Sequence, residues 1–151
     1  LNNSVSASNL DKRFKNLKWI TPRYGEKNMP QEELLLINEA LAVLKKDKSN
    51  KMLITHYQFF STILNENLNI PNRWYYNNNT FPSSDSSKYF NEYADKFKSK
   101  INKNKIKTIY VVESGQGEFD FMNYEKFLGS NCYKKKIYSK ILYTLELDNC
   151  N

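Results

Sequence analysis

Three consecutive apolar residues, Met52-Leu53-Ile54, constrain this chain more than any other stretch. They follow a helix-like segment ending in lysines and run into Thr55-His56-Tyr57-Gln58-Phe59-Phe60, where a second apolar periodicity begins. A short run that is apolar at every position reads as a strand buried on both faces, and so as the centre of an α/β sheet. A second run of this kind, Ile109-Tyr110-Val111-Val112, is β-branched or aromatic throughout. Open α/β sheets place their ligands just past the carboxyl ends of their strands. That rule points to Thr55, His56 and Tyr57 after the first run, and to Glu113 and Ser114 after the second.

The connecting segments supply covering layers. Asn28-Met29-Pro30-Gln31-Glu32-Glu33 reads as a helix start, with a cap, an early proline and acids where the helix dipole favours them. Leu34, Ile37, Leu41 and Leu44 then recur at helical spacing, and Lys45, Lys46 and Lys48 close the end. Phe60, Ile63 and Leu64 predict a short helix ending near Asn65. A brief strand is expected within Ile70 to Tyr76, followed by a polar loop to Ser84. Phe90, Tyr93, Phe97 and Ile101 predict a second long helix from Ser84 or Asp85 to near Asn104, and Phe119 to Leu128 a third, with Gly129 near its C-cap. Tyr133 to Leu147 alternates as strand does. Alternation of helix and strand implies right-handed βαβ crossovers. The expectation is a three-layer, Rossmann-like α/β domain with a mostly parallel sheet covered by helices and a C-terminal antiparallel hairpin. It occupies residues 13–151 after a flexible segment over 1–12, and Phe14, Leu17, Trp19 and Ile20 dock the entering arm.

With 151 residues, 40% of them hydrophobic, a single core is expected. No apolar run reaches the ~18 residues of a membrane span, and Leu1 to Leu10 has neither the basic start nor the apolar middle of a signal peptide. A chain opening on Leu1 rather than Met reads as a fragment. The net charge of +7 comes from twenty lysines and only three arginines. Arginine makes the bidentate and stacking contacts that read bases, so the excess reads as solvated surface and no nucleic-acid partner is expected.

Chemistry-bearing residues are few. Gly115-Gln116-Gly117 follows a strand, as phosphate loops do, but no third glycine or Lys-Ser/Thr pair follows, and Glu118 and Asp120 would repel phosphate. His56 is the sole histidine, without neighbours at metal-ligand spacing. No metal and no cofactor is expected. Asn2-Asn3-Ser4 and Asn78-Asn79-Thr80 match the glycosylation pattern by chance in so asparagine-rich a chain. The expected ligand-binding residues are His56, Tyr57, Glu113 and Ser114, with Arg73 and Trp74 at the rim; no residue of the chain is expected to be catalytic by itself. The alternative is a free-standing Rossmann-like enzyme or small-ligand binder using His56, Arg73 and Glu113.

Cys132 and Cys150 are the only cysteines. In a reducing compartment they are incidental thiols; in an oxidising one they suggest a disulfide. A straight strand from 132 to 150 would hold them ~60 Å apart at ~3.3 Å per residue, so a bridge requires a reversal, near Ser139-Lys140.

Arg13-Phe14, Trp19-Ile20-Thr21-Pro22, Met52 to Phe60, Pro71-Asn72-Arg73-Trp74-Tyr75, Lys88-Tyr89-Phe90, Ile106 to Tyr110 and the closing cysteines together carry a family likeness. The chain resembles the extracytoplasmic C-terminal domain of bacterial polytopic membrane proteins related to dolichyl-phosphate-mannose-protein mannosyltransferases, which transfer lipid-linked sugars. The resemblance implies that the catalytic acids lie on a loop between the first membrane spans, outside this sequence. It also implies a periplasmic-side location, where the cysteine pair can oxidise, with the membrane-embedded part of the same polypeptide as partner. The expected role is then a non-catalytic accessory domain that contributes to acceptor or sugar recognition.

Overall fold

The structure, a computed structural model, describes residues 4–20, 30–73, 75, 80–113 and 123–148. The N-terminal arm folds into a two-stranded antiparallel ribbon in which β1 (Val5–Ser6) pairs with β2 (Lys18–Trp19). Two 3-10 turns separate the strands, and Asp11 caps the second by accepting from the Arg13 amide at 2.8 Å. Phe14 and Trp19 dock the arm edge-on against Phe59, while Leu17 and Ile20, expected to help, stay exposed.

Then come α1 (Pro30–Lys46), β3 (Lys51–Thr55), α2 (Phe60–Leu64), α3 (Phe90–Lys103), β4 (Thr108–Val112), β5 (Tyr133–Ile137) and β6 (Leu142–Leu147). The second long helix starts later than its periodicity predicts, because Ser84 to Phe90 is taken up by turns, with the amides of Ser87 and Phe90 donating to the carbonyls of Ser84 and Ser87. No strand forms among the described residues of 70–76; Pro71 and Arg73 lie in bends. Of the helix predicted over 119–128, residues 119–122 lie outside the described residues, and the remainder holds only a 3-10 turn, Glu125–Phe127, with Leu128 already extended.

The main sheet has the order β3-β4-β6-β5. Only β3 and β4 are parallel; β4 with β6 and β6 with β5 are antiparallel. The Rossmann-like, mostly parallel sheet predicted from the alternation of elements is therefore not formed. Burial explains the outcome. β5 carries Lys134-Lys135-Lys136 and is exposed along nearly its whole length, whereas β6 is buried on both faces from Leu142 to Leu145. The lysines put β5 at an edge, where charge discourages further strand pairing, and the hairpin then delivers β6 antiparallel to β4. A tight hairpin can join only antiparallel strands; a parallel neighbour needs a long crossover.

Alternate residues of the strands feed two cores. Leu53, Tyr110, Val112 and Leu142 meet Ile37, Ala40, Leu41 and Leu44 of α1. Met52, Ile54, Ile109, Val111, Tyr143 and Leu145 meet Ala94 and Phe97 of α3, together with Tyr75, Phe81, Tyr124 and Phe127. Lys51, at the mouth of β3, is fully buried; its ammonium donates to the Asp47 carbonyl at 2.6 Å and to Glu66 at 2.7 Å. Two hydrogen bonds to oxygen are what make a buried ammonium tolerable. They also tie the end of α1 to the segment after α2.

Candidate functional site

Because β3 and β4 run parallel with Thr55 opposite Val112, the residues after them, His56 and Glu113, leave the sheet at the same end. Adjacent strands lie ~4.8 Å apart, so the two positions are neighbours on one edge. Thr55 fixes the first turn: its hydroxyl accepts from the Tyr57 amide at 3.1 Å and its carbonyl from the Gln58 side chain at 3.2 Å. The Glu113 amide donates to the Ile141 carbonyl at 2.8 Å, tying the second turn to the hairpin. Glu113 is buried and His56 is exposed.

The wall behind His56 is aromatic. Its ring meets Tyr75 edge-to-face at 5.6 Å, and Tyr75 in turn meets Phe81 and Tyr124. Asn72 sits under this wall and donates its amide to the hydroxyls of Tyr93 at 2.7 Å and Tyr124 at 2.9 Å, which lie 3.1 Å from each other. Burial, reinforced by neighbouring Tyr93, raises the Tyr75 phenol above its ordinary range, and burial does the same for Tyr124. These phenols stay protonated and act as hydrogen-bond groups. Partial burial lowers the His56 imidazole below its usual value, so it is neutral at physiological pH and both donates and accepts.

Of the predicted ligand residues, His56 and Glu113 follow the paired residues Thr55 and Val112 at one end of the sheet, and Arg73 is exposed, close in sequence to Asn72 and Tyr75. Trp74 and Ser114 lie outside the described residues. Tyr57 is a correction. It turns to the other face of the sheet, is buried in the α1 core, and donates to the Glu33 carboxylate at 2.5 Å. The second oxygen of Glu33 accepts from the Trp19 indole at 2.9 Å. Burial, then the Glu33 carboxylate, holds the Tyr57 phenol far above its ordinary range. Tyr57 therefore braces arm, helix and sheet and does not face the site. The reason is the strand's period of two, which continues past Thr55: Leu53 and Tyr57 share the α1 face, while Ile54 and His56, which meets Tyr75, share the other.

The residues that sequence reading missed are Asn72, Tyr75, Tyr93 and Tyr124. Their partners are 21 to 52 residues apart in the chain, a separation no local pattern reports. Among the described residues no three His, Cys, Asp or Glu side chains stand close enough to hold a metal ion. Nor is any described helix long and apolar enough to cross a membrane. The pairing of Cys132 with Cys150 falls on a residue outside the described ones; Cys132 itself is half-buried, and no described cysteine is free.

Comparison of the chain with protein-family models, with curated proteins and with solved structures finds no match.

Proposed function

We propose that this chain is a non-catalytic recognition domain that offers its His56–Glu113 edge to a hydroxylated, sugar-like ligand. The observation that carries the reading is the Thr55–Val112 register, which makes His56 and the buried Glu113 neighbours at one end of the sheet, with the His56 ring edge-to-face with Tyr75. A hydroxyl both donates and accepts, and a neutral imidazole and a carboxylate at one edge supply complementary groups, with an aromatic wall behind the imidazole for an apolar face of the ligand. In the whole protein the domain serves a membrane-embedded glycosyltransferase from the periplasmic side, contributing to acceptor or sugar recognition. That part of the proposal rests on the resemblance of the sequence segments alone.

Amide chemical-shift mapping with methyl α-mannoside, methyl β-glucoside and a serine- and threonine-rich peptide tests the binding edge. Saturable shifts confined to residues 55–57, 72–75 and 113, lost in His56→Ala and in Arg73→Ala, are expected. Shifts spread over another surface overturn the edge, and turnover of a lipid-linked sugar abolished by His56→Ala overturns the non-catalytic reading. The coding sequence upstream tests the tether: several apolar spans support it, and a start codon immediately before Leu1 removes it.

A further inference from the structure

At the opposite end of the sheet, where β4 begins and β6 ends, the described residues leave a cleft of about 310 Å³ at the end of the α3-side core. Its apolar lining is Ile101 and Ile106 from the end of α3 and the turn after it, Leu128 from the 3-10 region, and Leu147 from β6. All four belong to the α3-side core or pack against it, so the cleft is the unclosed end of that core. Lys98 and Lys107 stand at the rim and are exposed; neither makes an ion pair or hydrogen bond through its side chain among the described residues. The one acid at the rim, Asp148, lies 3.8 Å from Lys134.

We propose that this cleft binds a small amphipathic carboxylate, with its apolar body against Ile101, Ile106, Leu128 and Leu147 and its head between Lys98 and Lys107. Three observations decide the chemical class. The lining among the described residues is aliphatic and has no aromatic ring, which suits a flexible chain better than a planar ring. The volume accommodates a chain of about ten heavy atoms at the ~30 Å³ that one water occupies in the liquid, which is the size of octanoate. The rim carries two lysines against one carboxylate, a net single positive charge that matches a monoanion better than a dianionic phosphate.

The usual explanation for lysines at the end of a helix is the dipole, and it accounts for Lys100 and Lys103 in the last turn. It does not account for Lys107, which follows the turn after α3 and flanks the same cleft from the strand side. The proposal is independent of the His56 edge, because the two lie at opposite ends of β4.

Calorimetric titration of the chain with octanoate, octanol and octyl phosphate tests it. Octanoate is expected to bind one-to-one, with octanol about tenfold weaker for lack of the charge, given the modest worth of exposed ion pairs. The Lys98→Ala/Lys107→Ala variant should lose about the same factor, and Asp148→Asn should gain about twofold. Asn102→Trp, at an exposed position on the rim, plugs the mouth without touching the core and should abolish binding, while circular dichroism confirms that the variant folds. His56→Ala should leave the titration unchanged. Octanol equal to octanoate, octyl phosphate tighter than octanoate, indifference to the lysine pair or to Asn102→Trp, or no saturable binding at millimolar octanoate each overturns the proposal.

Discussion

Tyr57 donates its phenolic proton to Glu33 at 2.5 Å, and the two side chains are among the most buried polar groups of the α1 layer. Glu33 stands in the first turn of α1, where the helix dipole favours a carboxylate, and its other oxygen is taken by Trp19. One carboxylate thus fastens three separate parts of the chain: arm, helix and the turn after β3. Hydrogen bonds to a charged group are worth ~1.5–3 kcal/mol, and removing one donor leaves the buried acceptor short of a partner. Tyr57→Phe is expected to cost about 2–3 kcal/mol in urea unfolding, and Glu33→Ala more, since it orphans two donors at once. A Tyr57→Phe variant as stable as the parent would show that the phenol does not brace the fold.

His56 is the only histidine, so its ring gives one unambiguous imidazole signal by NMR. Partial burial disfavours the charged form, and its titration midpoint is expected below the ordinary 6.5. The unfolded chain then binds a proton more readily than the folded one. Stability from this group is complete above pH 6.5 and falls as pH drops through that value toward the folded midpoint. His56→Gln should flatten that part of the stability curve. A midpoint at or above 6.5 would contradict the neutral, doubly bonding imidazole that the proposed edge requires.

Lys51 and Glu66 offer a test of a buried charge. Glu66→Gln keeps the shape but removes the counter-charge from a fully buried ammonium; Glu66 is itself 40% exposed, so the loss is discounted to about 2 kcal/mol. Adding Lys51→Met removes the stranded ammonium and should restore part of that loss. A double-mutant cycle by chemical denaturation measures it, and strictly additive losses would mean that the two side chains do not interact.

The hairpin register pairs Tyr133 with Leu147, and the Asp148 amide donates to the Cys132 carbonyl at 3.0 Å. Cys132 therefore lies across from residue 148, two positions from Cys150. A disulfide between the two cysteines is expected, and it should contribute about 3 kcal/mol by the loop-entropy estimate. The Cys132 sulfur also sits against Gly129, where an added Cβ would come within 2.8 Å of it, so Gly129→Ala should weaken this corner as well. Thiol titration after denaturation without reductant, on protein made in an oxidising compartment, checks the bridge. Two reactive thiols would remove it, and with it this support for a periplasmic location.

The sequence by itself determined the elements whose signal is local. The periodicity of Leu34, Ile37, Leu41 and Leu44 defines α1, the apolar runs define β3 and β4, and the alternation from Tyr133 to Leu147 defines the last two strands. It also anticipated that β3 and β4 lie side by side and parallel, because that pairing needed only two buried strands and a helical crossover. What only the tertiary structure decided was the place of the hairpin. Whether β5 or β6 lies against β4 turns on which of them can bury both faces, and the three lysines of β5 settle that only once a neighbour competes for the position. The same holds for Tyr57 and Asn72. Tyr57 continues the strand's alternation to the face opposite His56, and Glu33, Tyr93 and Tyr124, which claim the Tyr57 and Asn72 side chains, are brought to them by packing across distances in sequence that no periodicity spans.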